Sequence, residues 1–369
     1  MKQQTSAATE TGNKGNNKII DFSGKRVYVG IDVHKKDWQV AAICNGVVLG
    51  NFRMSACADG LIDHLTKRYP GGDLQCVYES SAWGFELQRR LTKAGMSCMV
   101  VHAADVSGSD KEQKRKTDKV DALKLARHLA SGLLKGIHIP EERLQKQRSL
   151  IRLRHNIVSD LTRSKNRLKG LFKYHGIEVP SQFERNNWSY NFLTWIEAQS
   201  KTDPVLEDVI TLMLEEIKDL RKLLLKTEMK LRVLIKDPKY NDRARLLLGV
   251  PGIGGVNAAM FLLEVGDIKR FGSFDQLNDF VGLCPDSDSS GETVRHTGVT
   301  SRRHKQLRRC LIQAAWQTVR RDPAMLESFQ QLCRRMPRNK AIIRIARKLL
   351  RRVRRVLLTG IPYQMGVVS

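Results

Sequence analysis

The segment RVYVGIDV, residues 26–33, decides how the first part of this chain folds. Val27, Val29, Ile31 and Val33 alternate with Tyr28, Gly30 and Asp32, which is the period-2 pattern of a β-strand with Asp32 on the face opposite to the valines. A carboxylate in such an apolar strand is costly unless it binds a ligand. The segment therefore predicts a strand and, at Asp32, the first candidate residue of a functional site.

The segments after this strand predict the rest of a sheet. WQVAAIC and VVLGNFRM meet at Asn45-Gly46, the strongest short signal for a β-hairpin. Next come a helix (ADGLIDHLTKRY), a strand (LQCVYES), a helix (SAWGFELQRRLTKAG), a strand (MSCMVVH) and a helix (TDKVDALKLARHLASG). Three meandering strands followed by alternating helices and strands predict a mixed α/β sheet over residues 25–135.

The remaining sequence predicts three further regions. Residues 1–24 are polar and of low complexity, which is typical of a disordered tail. Residues 136–240 predict a basic helix and a coiled coil, whose heptad seam is Leu206, Ile210, Met213, Ile217, Leu220, Leu224, Thr227, Leu231 and Leu234. This seam favours an intramolecular hairpin or a dimer zipper over a direct contact with DNA. Residues 241–369 predict a mainly α C-terminal domain with a Gly-rich turn, a Ser- and Asp-rich loop at 285–301 and strongly basic helices.

The charge balance predicts a polyanionic partner. Lys and Arg number 64 against 38 Asp and Glu, a net charge of +26. Because such an excess repels itself in the free protein, nucleic acid is the expected partner. A membrane partner is not expected, since no segment offers the roughly 18 consecutive apolar residues of a spanning helix. The N-terminus has no apolar signal-peptide core, so we expect a cytoplasmic, nucleoid-associated bacterial protein.

The cysteines exclude two other kinds of site. All seven are widely spaced, and the sequence contains no Cys-x-x-Cys pair. Neither a zinc site nor a disulfide framework is therefore predicted.

Four carboxylates are candidates for a metal site: Asp32, Glu79, Asp118 and Asp121. Cutting a phosphodiester with metal ions requires carboxylates that converge on two Mg²⁺ roughly 4 Å apart, and Mg²⁺ prefers oxygen ligands. Glu79 ends the strand VYES, and Asp118 and Asp121 are spaced to share one helical face. A simpler interpretation exists for each: helix-dipole stabilisation of Asp118 and Asp121, a surface acid at Glu79, and a turn at Asp32. The order strand Asp, second-strand Glu, late helical pair indicates an RNase H-like nuclease.

Further candidates are glycines and basic residues that could contact nucleic acid. In GVPGIG, residues 249–254, Gly252 and Gly254 would let backbone N–H groups approach phosphates, although such turns are often plain packing. Arg163 and Arg167 belong to the basic helix at 148–169, which suits DNA or RNA equally.

The loop PDSDSSGETVRHTGVTSRR contains a candidate nucleophile. Ser290 precedes a glycine, and Arg295, Arg302 and Arg303 lie nearby in the sequence. A serine can attack a phosphodiester when its hydroxyl is activated and cations stabilise the developing charge. From the residues alone, an ordinary surface loop is the alternative.

Several segments resemble the DEDD transposases of the insertion-sequence-110 family, relatives of the Piv invertases. They are GIDVHKKDWQVAAI, VYESSAWGFELQRRLTKAGMSCMVVHAADV, KTDKVDALKLARHLASG and, past the coiled coil, the segment from VPGIGGVNAAMFLLEVG to RRCLIQAAW. The resemblance covers about 25–135 and 243–320. It implies a RuvC-like catalytic domain with Asp32, Glu79, Asp118 and Asp121 as Mg²⁺ ligands, and a C-terminal transposase domain.

The resemblance also implies chemistry that the residues alone do not. Ser290, with Ser289 as the neighbouring alternative, would form a transient phosphoserine link to DNA, and a non-coding bridge RNA would pair with donor and target DNA. The chain departs from the family where a Gly-x-Ile-Thr-Lys-x-Gly pattern is usual: it reads GVTSRRHKQ, with Arg302 and His304 at the Lys and Gly positions. Arg302 could still contact phosphate, but the family's turn is not expected here.

The sequence therefore predicts a site-specific DNA recombinase, an enzyme that moves an insertion sequence as a homodimer or homotetramer, guided by RNA. Two alternatives remain open. A RuvC-like nuclease or junction resolvase that uses water needs only the four acids, and a non-catalytic nucleic-acid-binding protein needs only the charge.

Overall fold

The first unit of the chain, Met1–Ile139, is built on a five-stranded mixed sheet. The structure is a computed structural model that describes residues 21–80, 83–106, 118–184, 188–201, 203–290, 293–299 and 304–366, without the side chains of 184 and 285–299. Most of the segment 1–24 thus lies outside the described residues. The second unit is Pro140–Ser369.

The sheet has the order β3-β2-β1-β4-β5. β1 (Arg26–Val33), β2 (Asp37–Cys44) and β3 (Val47–Ser55) form an antiparallel meander, in which Asn45 and Gly46 make the turn with positive φ. β4 (Asp73–Glu79) and β5 (Ser97–Val101) run parallel to β1. The mixed sheet predicted from the sequence is confirmed.

Three helices cover the two faces of the sheet. α1 (Ala58–Arg68) and α2 (Glu86–Lys93) share an apolar cluster with Val27, Val29 and Ile31. α3 (Asp118–Ala130) packs on the other face, where Leu125 contacts Val77 and Val101. Because successive side chains of a strand point to opposite faces, the even-numbered Gly30 and Asp32 of β1 lie on the face that α3 covers.

The second unit is mostly helical. Its helices are α4 (Glu142–Tyr174), α5 (Ser181–Glu184), α6 (Tyr190–Ser200), α7 (Pro204–Leu234), α8 (Pro238–Leu248), α9 (Gly255–Val265), α10 (Phe274–Val281), α11 (Lys305–Arg321), α12 (Pro323–Cys333) and α13 (Arg338–Thr359). The largest apolar core joins α8–α13 with the first part of α4 and the end of α7. In the described part of the chain, no helix is long and apolar enough to cross a membrane.

The segment predicted as a loop at 285–301 differs from that expectation. β6 (Pro285–Ser290) and β7 (Thr293–Val299) pair as an antiparallel hairpin. The β-branched residues of TVRHTGV favour an extended backbone, and the cross-strand hydrogen bonds satisfy polar groups that an open loop would leave to water. The interpretation as an irregular loop was wrong for these residues.

The heptad seam of α7 packs inside the chain. Its N-terminal half shares an apolar cluster with α4 and α6, and Leu231 and Leu234 pack against the larger core. Arg154 of α4 pairs with Glu228 at 2.6 Å, and Arg167 pairs with Glu216 at 2.7 Å. Since the later residue of α4 meets the earlier residue of α7, the two helices are antiparallel. The intramolecular hairpin, one of the two expectations for this seam, describes the packing observed; a supercoiled coiled coil remains a prediction.

Candidate functional site

The candidate metal site lies where α3 rests on β1. A Cβ atom at Gly30 would fall 2.1 Å from the carbonyl oxygen of Ala122 and 2.6 Å from the backbone nitrogen of Ala126. Only glycine allows this approach, because any side chain would push the helix away. The contact sets the height of α3 above the strand, and with it the position of Asp118 and Asp121 in its first turn.

A side-chain hydrogen bond fixes the same helix at its N-terminal end. Asn51 of β3 donates from Nδ2 to the carbonyl oxygen of Lys119 at 3.0 Å. Its own Oδ1 accepts from Nε2 of Gln39, a buried side chain, at 2.6 Å. Lys119 stands between the two aspartates of α3, so this pair ties both of them to the sheet.

The carboxylates of Asp32 and Asp118 meet at His34. Nε2 of His34 lies 3.1 Å from Oδ2 of Asp32 and 3.7 Å from Oδ1 of Asp118. One possible ligand atom from each of the three residues lies within 4.8 Å of the others. His34 was missed in the sequence, although its position two residues after the strand aspartate was a usable signal.

Glu79 reaches the site through strand register. β1 and β4 are parallel, with Ile31 opposite Tyr78, so one further step places Glu79 beside Asp32. Glu79 lies two residues after Val77, which packs on the α3 side of the sheet. It therefore belongs to the same face and the same end of the sheet as Asp32.

The electrostatics of this cluster favour a cation. Burial raises the pKa of Asp32, the charges of Asp118 and Asp121 raise it further, and His34 opposes the rise. Carboxylates that destabilise one another's charged forms are stabilised when a divalent cation is bound between them. The carboxylate oxygens suit a hard divalent cation, whereas the imidazole is a ligand more usual for transition metals. Among the described residues, the group of ligand atoms within 4.8 Å of one another comprises Asp32, His34 and Asp118 and does not include Glu79 or Asp121. The four carboxylates as a complete ligand set stay a prediction.

The second candidate site is the hairpin that carries Ser290. Ser290 ends β6, where its partner across the hairpin is Thr293, and Arg295 of β7 pairs with Asp288. The structure does not describe the side chains of these four hairpin residues. Arg302 and Arg303 lie entirely outside the described residues. Ser290, Arg295, Arg302 and Arg303 therefore stay predictions.

The base of the hairpin is fixed by His304. Its backbone N–H donates to the carbonyl oxygen of Phe280 at 3.2 Å, which joins the residues on either side of the hairpin. Its Nδ1 accepts from the backbone N–H of Leu307 at 3.1 Å and so caps α11. Because Nδ1 is an acceptor, the proton is on Nε2, which lies 3.2 Å from Oε2 of Glu264.

Glu264 is the centre of a buried ionic network. Only 2% of its side chain is exposed, and Nε and Nη2 of Arg152 donate to its two oxygens at 3.0 and 3.1 Å. Burial alone would raise the pKa of Glu264, but the hydrogen bonds from His304 and Arg152 outweigh it and hold the pKa at about 2. Sequence reasoning missed this residue, although a glutamate inside the apolar run AAMFLLEVG marks a carboxylate that needs partners.

The glycine turn has two different halves. Gly252 has a φ of +88°, and a Cβ there would lie 2.3 Å from the carbonyl oxygen of Ala314, so close packing against α11 explains this glycine. Gly254 is exposed, caps α9 and has open space around it, as a phosphate contact requires. Contact with nucleic acid remains a prediction for both.

Arg163 and Arg167 are exposed but already paired. Arg163 forms an ion pair with Asp160, and Arg167 reaches Glu216 at 2.7 Å. These carboxylates offset part of the charge that the sequence assigned to nucleic acid.

The sheet and its carboxylates define a class of protein. A five-stranded mixed sheet with acidic residues on β1, β4 and the helix above them fits the RNase H-like domain of DEDD transposases. Comparison with known families agrees. A DEDD transposase model of the IS110 type matches residues 29–176, and a model described as the transposase IS116/IS110/IS902 family matches residues 244–330.

Individual proteins similar to this chain are also described as transposases or as a gene-inverting protein. A putative transposase, y4qE, of Sinorhizobium fredii is 27% identical over 84% of this chain and 75% of its own length. The transposase for insertion sequence element IS1533 of Leptospira borgpetersenii is 24% identical over 79% of this chain and 85% of its own. The pilin gene-inverting protein of Moraxella bovis is 33% identical over 31% of this chain and 36% of its own. The chain belongs to the IS110 family of transposases, enzymes that cut and rejoin DNA.

Proposed function

We propose that this transposase cuts DNA with Mg²⁺ held by Asp32, Glu79, Asp118 and Asp121. The observation that carries the proposal is the convergence on one sheet end of Asp32 and the first turn of α3, with Glu79 beside Asp32 by register. When bound, Mg²⁺ would polarise a phosphoryl oxygen and stabilise the negative charge of the transition state. The chain's own part is to fix the four carboxylates before the substrate arrives.

Ser290 is the proposed nucleophile. Its Oγ would bond to the phosphorus of the scissile phosphodiester while the bond from phosphorus to one deoxyribose oxygen breaks, and that oxygen would take up a proton. In the reverse step a deoxyribose hydroxyl of the exchanged strand would attack the phosphoserine and return the hydroxyl to Ser290. The position of Ser290 at the end of β6, on a hairpin whose flanking residues Phe280 and His304 are joined by a backbone hydrogen bond, supports the proposal.

The two sites must act on one phosphate. Ser290 and the carboxylates belong to different units of the chain, so the hairpin would serve the metal site of its own protomer or of a neighbour. We propose a homodimer or homotetramer, in which either arrangement is possible, and a bridge RNA that selects donor and target DNA. The net charge of +26 supports binding of both nucleic acids.

The decisive experiment follows the DNA ends. Supercoiled plasmid carrying the element ends is incubated with the full chain, Mg²⁺ and RNA transcribed from the DNA beside the gene. We expect DNA covalently attached to protein and recombined product. Asp32→Ala should bind DNA but not cut it, and Asp59→Ala, which removes an exposed carboxylate of α1, is the matched control.

Serine variants identify the nucleophile. Ser290→Ala should give neither the protein–DNA adduct nor strand exchange while binding normally. Recombination by Ser290→Ala but not by Ser289→Ala would assign the neighbouring serine. If the double variant still cuts and leaves free ends, water is the nucleophile and the chain acts as a metal-dependent nuclease.

A further inference from the structure

A cavity of about 560 Å³ lies between α4, the start of α6 and α7. Three cationic residues contribute to its lining, Lys165, Lys169 and Arg221, together with the neutral residues Thr162, Asn166, Trp188 and Ser189. Lys165 and Lys169 are four residues apart on α4 and so share one helical face. Arg221 reaches the same cavity from α7.

Trp188 organises two of these cations. Nζ of Lys165 lies 5.2 Å from the centre of its ring, and Nη2 of Arg221 donates to its carbonyl oxygen at 2.6 Å. The Trp188 side chain is buried in the apolar cluster that α4, α6 and α7 share. The cations are therefore held in place by the fold, and the indole is covered rather than offered for stacking with a base.

The cavity has an unbalanced positive charge. Within the described residues, no carboxylate lines it, and Lys165, Lys169 and Arg221 have no ion pair within 4.0 Å. Burial lowers the pKa of Lys165, and the charges of Arg221 and Lys169 lower it further. On the same helix, Arg163 and Arg167 each face a carboxylate. An anion bound in the cavity would reduce the repulsion among these three cations.

We propose that this cavity binds a backbone phosphate of the nucleic acid on which the transposase acts. Phosphate oxygens accept hydrogen bonds from lysine and arginine, and the Ser189 hydroxyl, which accepts from the Phe192 N–H, keeps its own proton to donate. With the indole covered, recognition is of the backbone and is independent of base sequence. The inference rests on the proposed function only in taking nucleic acid as the ligand, and DNA and RNA backbones offer the same group.

The test compares charge removal inside and outside the cavity in the full chain. The variant Lys165→Gln/Lys169→Gln removes two cavity charges. The control Lys218→Gln/Lys222→Gln removes two charges of α7 that pair with Glu197 and Asp219. Affinity is measured for a duplex DNA and for an RNA over a range of salt concentrations. The cavity variant should bind about tenfold more weakly than the control, and its salt slope should fall by about 1 for each lost phosphate contact.

A second variant keeps the proposal testable if the first variant does not fold. Asn166→Asp adds one carboxylate to the cavity from an exposed position and should weaken binding without lowering the unfolding temperature. Weaker binding of DNA alone or of RNA alone would show which nucleic acid occupies the cavity. Weaker binding of both would show that the cavity accepts either. The proposal is overturned if the cavity variant matches the control on both polymers, or if Asn166→Asp binds as the wild type does. Cleavage by the wild-type chain is scored separately, so failure of the proposed chemistry is not confused with failure of this site.

Discussion

The backbone of α3 at Ala122 lies so close to Gly30 of β1 that a single added methyl group would fall 2.1 Å from the Ala122 carbonyl oxygen. Gly30 is two residues before Asp32, and Ala122 directly follows Asp121. This one contact therefore sets the distance between the carboxylate of the strand and those of the helix.

Gly30→Ala should displace α3 and lower both stability and cleavage. Overpacking of this kind costs about 1–3 kcal/mol, and the shift would separate Asp118 and Asp121 from Asp32. Thermal unfolding and plasmid cleavage measure the two effects. Gly50→Ala on β3 is the control, because a Cβ there would meet nothing closer than 3.6 Å. Equal behaviour of the two variants would show that the close approach does not position the site.

Asn51→Ala should loosen the N-terminal end of α3 and weaken both the metal site and the fold. The lost hydrogen bond to the Lys119 carbonyl oxygen is worth about 1 kcal/mol, and the buried Nε2 of Gln39 also loses its acceptor. We expect a lower unfolding temperature and, in the folded protein, a higher Mg²⁺ concentration for half-maximal cleavage. A variant that needs no more Mg²⁺ than the wild type would rule out a positioning role for Asn51.

Glu264 should make the second unit sensitive to acid. Its pKa in the folded protein, about 2, is below the ordinary value of 4.5, so its contribution to stability is present above about pH 4.5 and is lost as the pH falls toward 2. Urea unfolding should show this loss in the wild type and a flatter profile over that range in Glu264→Gln.

At neutral pH, Glu264→Gln should destabilise the protein by about 3 kcal/mol, because it breaks a buried ion pair. Breaking a buried ion pair usually costs about 3–5 kcal/mol. The lower value applies here because the side chain of Arg152 is 58% exposed. Glu228→Gln removes the carboxylate that pairs with Arg154, and it serves as a less buried comparison. Identical pH profiles for Glu264→Gln and the wild type would contradict the assignment of this pKa.

Leu220→Glu and Leu212→Glu separate packing within α7 from assembly. Leu220 packs against the cluster that α4 and α6 share with α7, so a charge there should lower stability. Leu212 is 65% exposed on the same helix, so Leu212→Glu should leave the stability of the monomer unchanged. Light scattering then reports whether the exposed face supports the predicted oligomer. Unchanged stability in Leu220→Glu would mean that the seam is not a packing surface.

Local patterns were sufficient to predict the sheet, and they indicated which of its acidic residues are candidates. Alternation in RVYVGIDV, together with the Asn45-Gly46 turn, predicted a meander that the structure confirms. The same alternation placed Asp32 away from the valines. These features depend on neighbouring residues along one strand, where the period of 2 leaves little freedom.

Other features depend on residues far apart in the chain. One partner of Glu264 is Arg152, more than 100 positions earlier, and the residue that approaches Gly252 is Ala314. The Ser- and Asp-rich segment at 285–301 had no apolar alternation strong enough to indicate its hairpin. Composition alone could not show that Arg163 and Arg167 face carboxylates while Lys165 and Lys169 line a cavity without them.

The sequence by itself determined the strand order of the meander, the identity of the four acidic candidates and the family, because each is written in short contiguous motifs. Only the tertiary structure decided which side chains meet: His34 between Asp32 and Asp118, and Asn51 on the Lys119 carbonyl oxygen. It also placed Lys165 and Lys169 of α4 in a cavity that no carboxylate of the described residues lines. The physical reason is that hydrogen bonds and charges act over a few ångströms. Their partners are therefore chosen by the packing of distant elements, which no local pattern records.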